Sequence, residues 1–195
     1  MKTFAAAALA MLASAQAEVV PLPSLDVGAY AGRWFQTHGS DSVVNSFQLG
    51  GNCVTADYNA TSKGDVVSVL NIVRLNPFGN TLIPIPVGGY AVQSTDANEQ
   101  GALQVILGPQ ADPEEPRPYT RANYWVMDVG PINQDGLYSW ATVSAPGLNE
   151  LYVLVRDVED FEQCCEEDVL ARLTEQGFTA DNNKPIKTNQ QNCQY

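Results

Sequence analysis

Few side chains in this sequence have the types and spacing that catalysis or metal binding requires. The chain has a single histidine, His38, and four cysteines. A Ser-His-Asp or Cys-His site would have to use His38 as its base. No Cys-x-x-Cys motif or histidine cluster indicates zinc, and Asp112, Glu114 and Glu115 lack the partner spacing of a hydrolase carboxylate pair. We therefore expect a protein that is not an enzyme, with no catalytic residue, no metal and no cofactor.

Residues 1–17 have the pattern of a secretory signal peptide. Lys2 provides a positive start, residues 4–13 are apolar, and residues 15–17 form a small-x-small cleavage site. Cleavage there would make Glu18 the first residue of a secreted, extracellular protein. Proline, glycine or charged residues interrupt every later apolar run, so we expect no transmembrane helix.

Secretion makes the cysteines candidates for disulfide bonds. Four cysteines allow three pairings into two bonds. The adjacent Cys164 and Cys165 could form a vicinal disulfide, remain as two buried thiols on a helix, or link two chains; we favour the thiols. Asn59, in the sequon Asn59-Ala60-Thr61, is a candidate glycosylation site.

The charge balance excludes two classes of partner. The chain carries 10 Lys and Arg against 22 Asp and Glu, a net charge of −12. Nucleic acids and anionic lipid surfaces are both bound by basic faces, so neither is an expected partner. A hydrophobic fraction of 45% over 195 residues is typical of a single domain with a true core.

Short apolar runs separated by turn residues predict eight antiparallel strands. These lie near residues 33–40, 53–61, 65–74, 81–93, 101–108, 121–129, 136–145 and 149–157. Even spacing without intervening helices is typical of an all-β, up-and-down meander, which must close into a barrel to avoid exposed edges. The barrel should span about 30–157, followed by a helix over about 160–177 and an irregular polar tail at 178–195, so that residues 18–195 form one domain.

The second and last strands indicate which side chains face the barrel interior. Alternation over residues 53–61 places Val54, Ala56 and Tyr58 on the inner face. The small side chain of Ala56 leaves room for a bound molecule. In the last strand, Tyr152 and Leu154 face inward by the same rule, whereas Leu151, Val153 and Val155 face a covering helix.

Arg156 shares the inward face of the last strand, where a cation is costly unless it has a partner. Stacking on an aromatic ring would stabilise it by ~1–2 kcal/mol. Trp34, near the start of the first strand, could supply that ring. Gly32, two residues earlier, would allow the close approach.

Several segments, in order and with matching spacing, resemble the lipocalins, most closely their apolipoprotein D and bacterial branch. The likeness covers about residues 25–193 and is carried by Tyr30-Ala31-Gly32-Arg33-Trp34-Phe35, Gly51-Asn52-Cys53-Val54-Thr55-Ala56-Asp57-Tyr58, Val69-Leu70-Asn71, Tyr124-Trp125-Val126-Met127-Asp128 and Leu151-Tyr152-Val153-Leu154-Val155-Arg156.

The resemblance implies an eight-stranded up-and-down antiparallel barrel, open at one end, with a C-terminal helix against its side. In the family a signature Trp and a signature Arg stack at the closed end of the barrel. The corresponding residues here are Trp34 and Arg156. It also implies a disulfide between Cys53 and Cys193; the Cys164-Cys165 pair departs from the pattern.

The implied function is the binding and carriage of a small hydrophobic molecule, such as a fatty acid, lysolipid, sterol or carotenoid-like compound. The alternatives are a lipocalin-fold enzyme acting on a lipid or carotenoid, and a disulfide-linked interaction module. The protein would be a monomer or weak dimer. Its ligand-binding residues, from alternation and from matching family positions, are Val54, Ala56, Tyr58, Val69, Asn71, Tyr152 and Leu154.

Other residues are weaker candidates for the site. His38 lies four residues after Trp34 and could share its inner face. Alternation does not settle which way Trp125 and Trp140 point. The apolar stretch 83–87 should lie near the barrel mouth, where it could make transient contact with a membrane.

Overall fold

Eight antiparallel strands follow one another around a closed barrel, as the sequence predicted. In the computed structural model, which describes residues 18–77, 79 and 81–195, each strand pairs with the next, and β1 pairs with both β2 and β8. The signal-peptide prediction falls on residues outside the described part of the chain. The strands are β1 (Gly32–Gly39), β2 (Asn52–Ala60), β3 (Val66–Leu75), β4 (Ile83–Gln93), β5 (Ala102–Leu107), β6 (Tyr124–Val129), β7 (Trp140–Ser144) and β8 (Leu151–Val155).

The helical segments differ in part from the prediction. A short helix α1 (Val27–Tyr30) precedes the barrel, and a π-helical turn (Ser42–Phe47) follows β1. The single C-terminal helix predicted over 160–177 is instead two helices, α2 (Val158–Cys164) and α3 (Glu166–Glu175). The break falls at Cys165, whose φ of −140° is not helical. No helix in the described ranges is long and apolar enough to cross a membrane.

The polar tail is not wholly irregular. Its two-residue strand β9 (Ile186–Lys187) pairs with the end of β1, where β2 no longer does. The prediction of an irregular tail is wrong there because β1 extends past its pairing with β2 and leaves backbone groups free to pair with another strand.

The C-terminal helices cover the outer face of β8, as its two apolar faces predicted. Leu151, Val153 and Val155 are fully buried on that side. They form an outer core with residues of α2 and α3, including Phe161 and Leu173. A separate core fills part of the barrel interior, so β8 is buried on both faces.

The closed end of the barrel is plugged by Trp34 and Arg156. The Arg156 guanidinium carbon lies 3.6 Å from the centroid of the Trp34 ring. The guanidinium also donates to backbone carbonyls, at 2.6 Å to Arg33 and 2.7 Å to Ala31. Burial lowers the pKa of Arg156 to about 10, and the nearby Tyr30 opposes that shift. These contacts give the half-buried cation the partners that its position requires.

Gly32 is needed for this plug. Its φ is +93°, a conformation that other residues rarely adopt, and an added Cβ would lie 3.3 Å from Nη1 of Arg156. A larger residue would therefore strain the backbone and crowd the guanidinium.

All four cysteines are paired. Cys53 and Cys193 are joined, which ties the chain terminus to the start of β2. Cys164 and Cys165 form a vicinal disulfide at the break between α2 and α3. Our preference for two buried thiols is wrong, because the two sulfur atoms are bonded to each other. Cys164 is also exposed rather than packed in a helix interface.

Candidate ligand-binding site

A cavity of about 720 Å³ occupies the barrel. Loops at one end of the barrel, including Phe47, Gln48 and Pro146, contribute to its wall, so the cavity lies toward that end. All seven residues predicted to bind ligand line it: Val54, Ala56, Tyr58, Val69, Asn71, Tyr152 and Leu154. Their role in binding stays a prediction. The volume falls within the range of roughly 300–1,000 Å³ that is usual for small-molecule sites.

Three tyrosines, Tyr30, Tyr58 and Tyr124, form what we call the tyrosine cluster. Tyr58 and Tyr124 line the cavity, and Tyr30 lies behind them. The hydroxyl oxygen of Tyr124 lies 2.7 Å from that of Tyr30 and 3.0 Å from that of Tyr58. Burial raises the pKa of all three phenols, that of Tyr58 to about 12. The cluster is therefore uncharged near neutral pH, and its hydroxyls satisfy one another.

The amide side chains on the cavity wall differ in whether their hydrogen bonds are satisfied. Gln36 and Gln48 exchange two amide hydrogen bonds, of 3.0 and 2.7 Å, and so satisfy each other. Asn71 differs, because its buried Oδ1 has no hydrogen-bond partner in the described part of the chain. An unpartnered amide on a largely apolar wall can fix the orientation of a ligand through one polar group.

Exposed apolar side chains surround the mouth of the cavity. Phe47 and Leu49, in the β1–β2 connection, are 66% and 69% exposed. Ile85 and Val87, in the predicted 83–87 stretch, are 40% and 39% exposed and also line the cavity. The apolar surface of the mouth is thus continuous with that of the cavity.

The structure corrects the placement of His38 and excludes two tryptophans from the cavity. A register shift between Gln36 and His38 in the β1–β8 pairing interrupts the alternation of β1. His38 Nε2 consequently lies 3.5 Å from a carboxylate oxygen of Glu166 in α3, outside the barrel. Burial lowers the pKa of His38, and Glu166 opposes that shift. Trp125 and Trp140 pack in the outer core.

Asn59 is exposed near the end of β2. Its modification stays a prediction.

Tyr124 is the main site residue that the sequence did not reveal. Strand β6 pairs with β5 at only two positions, Ala102↔Trp125 and Leu103↔Tyr124. A second register shift, against β7, follows between Val126 and Asp128. The irregular pairing removes the alternation signal that would have placed Tyr124 inside and Trp125 outside.

A closed eight-stranded barrel with an interior cavity reaching one end has room for one small molecule. The chain matches the family model of the lipocalin-like domain over residues 25–188. It therefore belongs to the lipocalin-like family. A search of curated proteins found no match.

A solved structure supports the same fold. The chain is similar to japanin from Rhipicephalus appendiculatus, determined bound to cholesterol, with a TM-score of 0.51 and 10% sequence identity. The match covers 87% of this chain and 99% of japanin. At that identity the likeness concerns the fold.

Proposed function

We propose that this protein is a carrier of small hydrophobic molecules, with a fatty acid, lysolipid, sterol or carotenoid-like compound as its cargo. The observation that carries the proposal is the cavity of about 720 Å³, whose wall is largely apolar. Burial of apolar ligand surface contributes about 25 cal/mol per Å² before the costs of ordering. The binding of cholesterol by japanin supports a lipid-like guest.

We propose that the protein carries this cargo without catalysis. The single histidine packs against Glu166 outside the barrel rather than on the cavity wall. The adjacent cysteines, the other candidate nucleophiles, are joined to each other. Among the described residues, no group of three His, Cys, Asp or Glu side chains is placed to hold a metal ion.

We further propose secretion, a closer kinship to the apolipoprotein D branch, and transient membrane contact through the mouth. Two disulfides and the pattern of residues 1–17 support secretion. The bond from the start of β2 to the chain terminus supports the kinship.

Phe47 and Leu49 support the membrane contact, because apolar side chains this exposed favour a partner surface.

Filling the cavity tests the carrier proposal. Ala56 is buried on the cavity wall, whereas Ala60, at the end of the same strand, is exposed. Ala56→Leu should reduce the stoichiometric binding of oleic acid and cholesterol, while Ala60→Leu should leave it unchanged. Quenching of protein fluorescence would measure affinity, and native mass spectrometry would count bound molecules. A parent protein that binds no member of a panel of fatty acids, lysolipids, sterols and carotenoids would refute the carrier function.

A further inference from the structure

We propose that Arg121 binds the carboxylate of the cargo, so that the preferred ligand is a long-chain carboxylic acid rather than a neutral lipid. The proposal rests on the carrier function above. The proposal makes the Arg121 side chain responsible for the preference for a carboxylic acid over a neutral lipid with the same carbon chain. Four observations support it.

The first observation is the position of Arg121. It lines the cavity and is also exposed, and it lies just before the start of β6. A cation there can meet a ligand head group that remains in contact with water while the carbon chain enters the barrel.

The second observation is that the backbone around Arg121 is held on both sides. The Asn123 side chain accepts from the backbone N–H of Val105 at 2.7 Å and donates to its carbonyl at 2.9 Å. The backbone N–H of Thr120 donates to Oε1 of Gln104 at 2.7 Å. Arg121 therefore projects from a segment fixed along β5, although regular pairing of β5 and β6 has already ended.

The third observation is that Arg121 lacks a counter-ion. Within the described ranges, no carboxylate oxygen lies within 4.0 Å of it. Glu150, the one acidic residue among those that line the cavity, also lies more than 4.0 Å from it. Of the eight other described Lys and Arg residues, four have an acidic partner at 2.7–3.6 Å (Arg33, Arg172, Lys184 and Lys187) and four have none (Lys63, Arg74, Arg117 and Arg156), but none of these eight lines the cavity.

The fourth observation is the electrostatic contrast between this site and the whole chain. The net charge of −12 disfavours anions in general. Arg121 is the only Lys or Arg among the residues given by the structure as lining the cavity. A preference for an anionic lipid would therefore have to come from this local contact. The neutral tyrosine cluster presents no charge that would attract the head group inward.

The experiment compares oleic acid with oleyl alcohol, which share one carbon chain and differ in the charge of the head group near neutral pH. The variants are Arg121→Gln and a matched control, Arg117→Gln. Arg117 is an exposed arginine of the same loop that does not line the cavity. Thermal unfolding would check that each variant retains the parent's stability.

We expect the parent to bind oleate about fivefold more tightly than the alcohol, the scale of a partly exposed ion pair. Arg121→Gln should remove this preference, and Arg117→Gln should retain it. Equal binding of acid and alcohol by the parent would overturn the assignment while leaving the carrier function intact, as would a preference that survives in Arg121→Gln. A parent that binds neither compound nor any other lipid would refute the carrier function itself.

Discussion

Replacing Trp34 with alanine should destabilise the barrel without directly removing the binding site. Trp34 is fully buried, and the site of its contact with Arg156 is separate from the cavity wall. The ring of Tyr30 lies between it and the rest of the tyrosine cluster, 5.1 Å away by centroid distance. The variant therefore separates the stability of the closed end from the shape of the cavity.

The expected loss combines the lost burial of the ring with two contacts. Truncating a buried tryptophan costs about 3–5 kcal/mol through lost burial and the cavity left behind. That figure includes the stacking of Arg156 and the hydrogen bond from Trp34 Nε1 to the Tyr30 carbonyl, at 2.8 Å. Arg156 keeps its carbonyl acceptors, so its charge is not left without partners. For a domain of this size, about 4 kcal/mol lowers Tm by on the order of 10 °C.

Denaturant unfolding and probe titration should be run on the same samples, well below the reduced Tm. We expect Trp34→Ala to lose about 4 kcal/mol of unfolding free energy and to bind a lipophilic probe with nearly the parent affinity. Trp34→Phe keeps a ring under Arg156 and should lose less. Abolished binding in a variant as stable as the parent would refute the plug, because Trp34 would then act in the ligand site.

Three further perturbations test other parts of the structure. Cys193→Ser opens a disulfide spanning 140 residues and should cost about 4–5 kcal/mol, seen as a lower denaturant midpoint; an unchanged midpoint would contradict this role. Because the pKa of Tyr58 is raised from 10.0 to about 12, its neutral form stabilises the fold below pH 10, and the free energy of unfolding should fall between pH 10 and 12. Tyrosinate absorbance would follow the ionisation and denaturant unfolding the stability. Tyr58→Phe should make the decline less steep. Leu49→Asn suits the positive φ of 52° at that residue while removing an exposed apolar tip, and should weaken binding to zwitterionic vesicles roughly tenfold. Val20→Asn, at another exposed apolar residue, is the control. Equal binding of the two variants to the vesicles would argue against membrane contact through the mouth.

Regular alternation made much of the barrel predictable. In β2, Val54, Ala56 and Tyr58 follow the period of two and all line the cavity. In β8 the same rule placed Tyr152 inside and Val153 outside. These predictions needed only the strand itself, because an uninterrupted strand points successive side chains to opposite faces.

The period-two rule fails where the ladder is irregular. His38 is two residues beyond the inward-facing Gln36, yet the register shift between them directs His38 to Glu166 outside the barrel. The shift depends on how β8 pairs with β1, which no local pattern in β1 reveals. Tyr124 was missed for a related reason, since its strand has only two paired positions with β5.

The same irregularity explains why charge appears on the cavity wall beside β5. A continuous β5–β6 ladder would extend the regular barrel wall through the residues before Tyr124. Instead, pairing stops at Leu103↔Tyr124. The chain that precedes it is held by hydrogen bonds that the Gln104 and Asn123 side chains accept from the backbone N–H groups of Thr120 and Val105. An arginine in such a segment can reach the cavity without being buried, and so avoids the desolvation that Arg156 meets at the closed end. The two arginines thus have opposite roles for a physical reason: the half-buried Arg156 is held by carbonyls and a ring, and the exposed Arg121 keeps its charge available to a ligand.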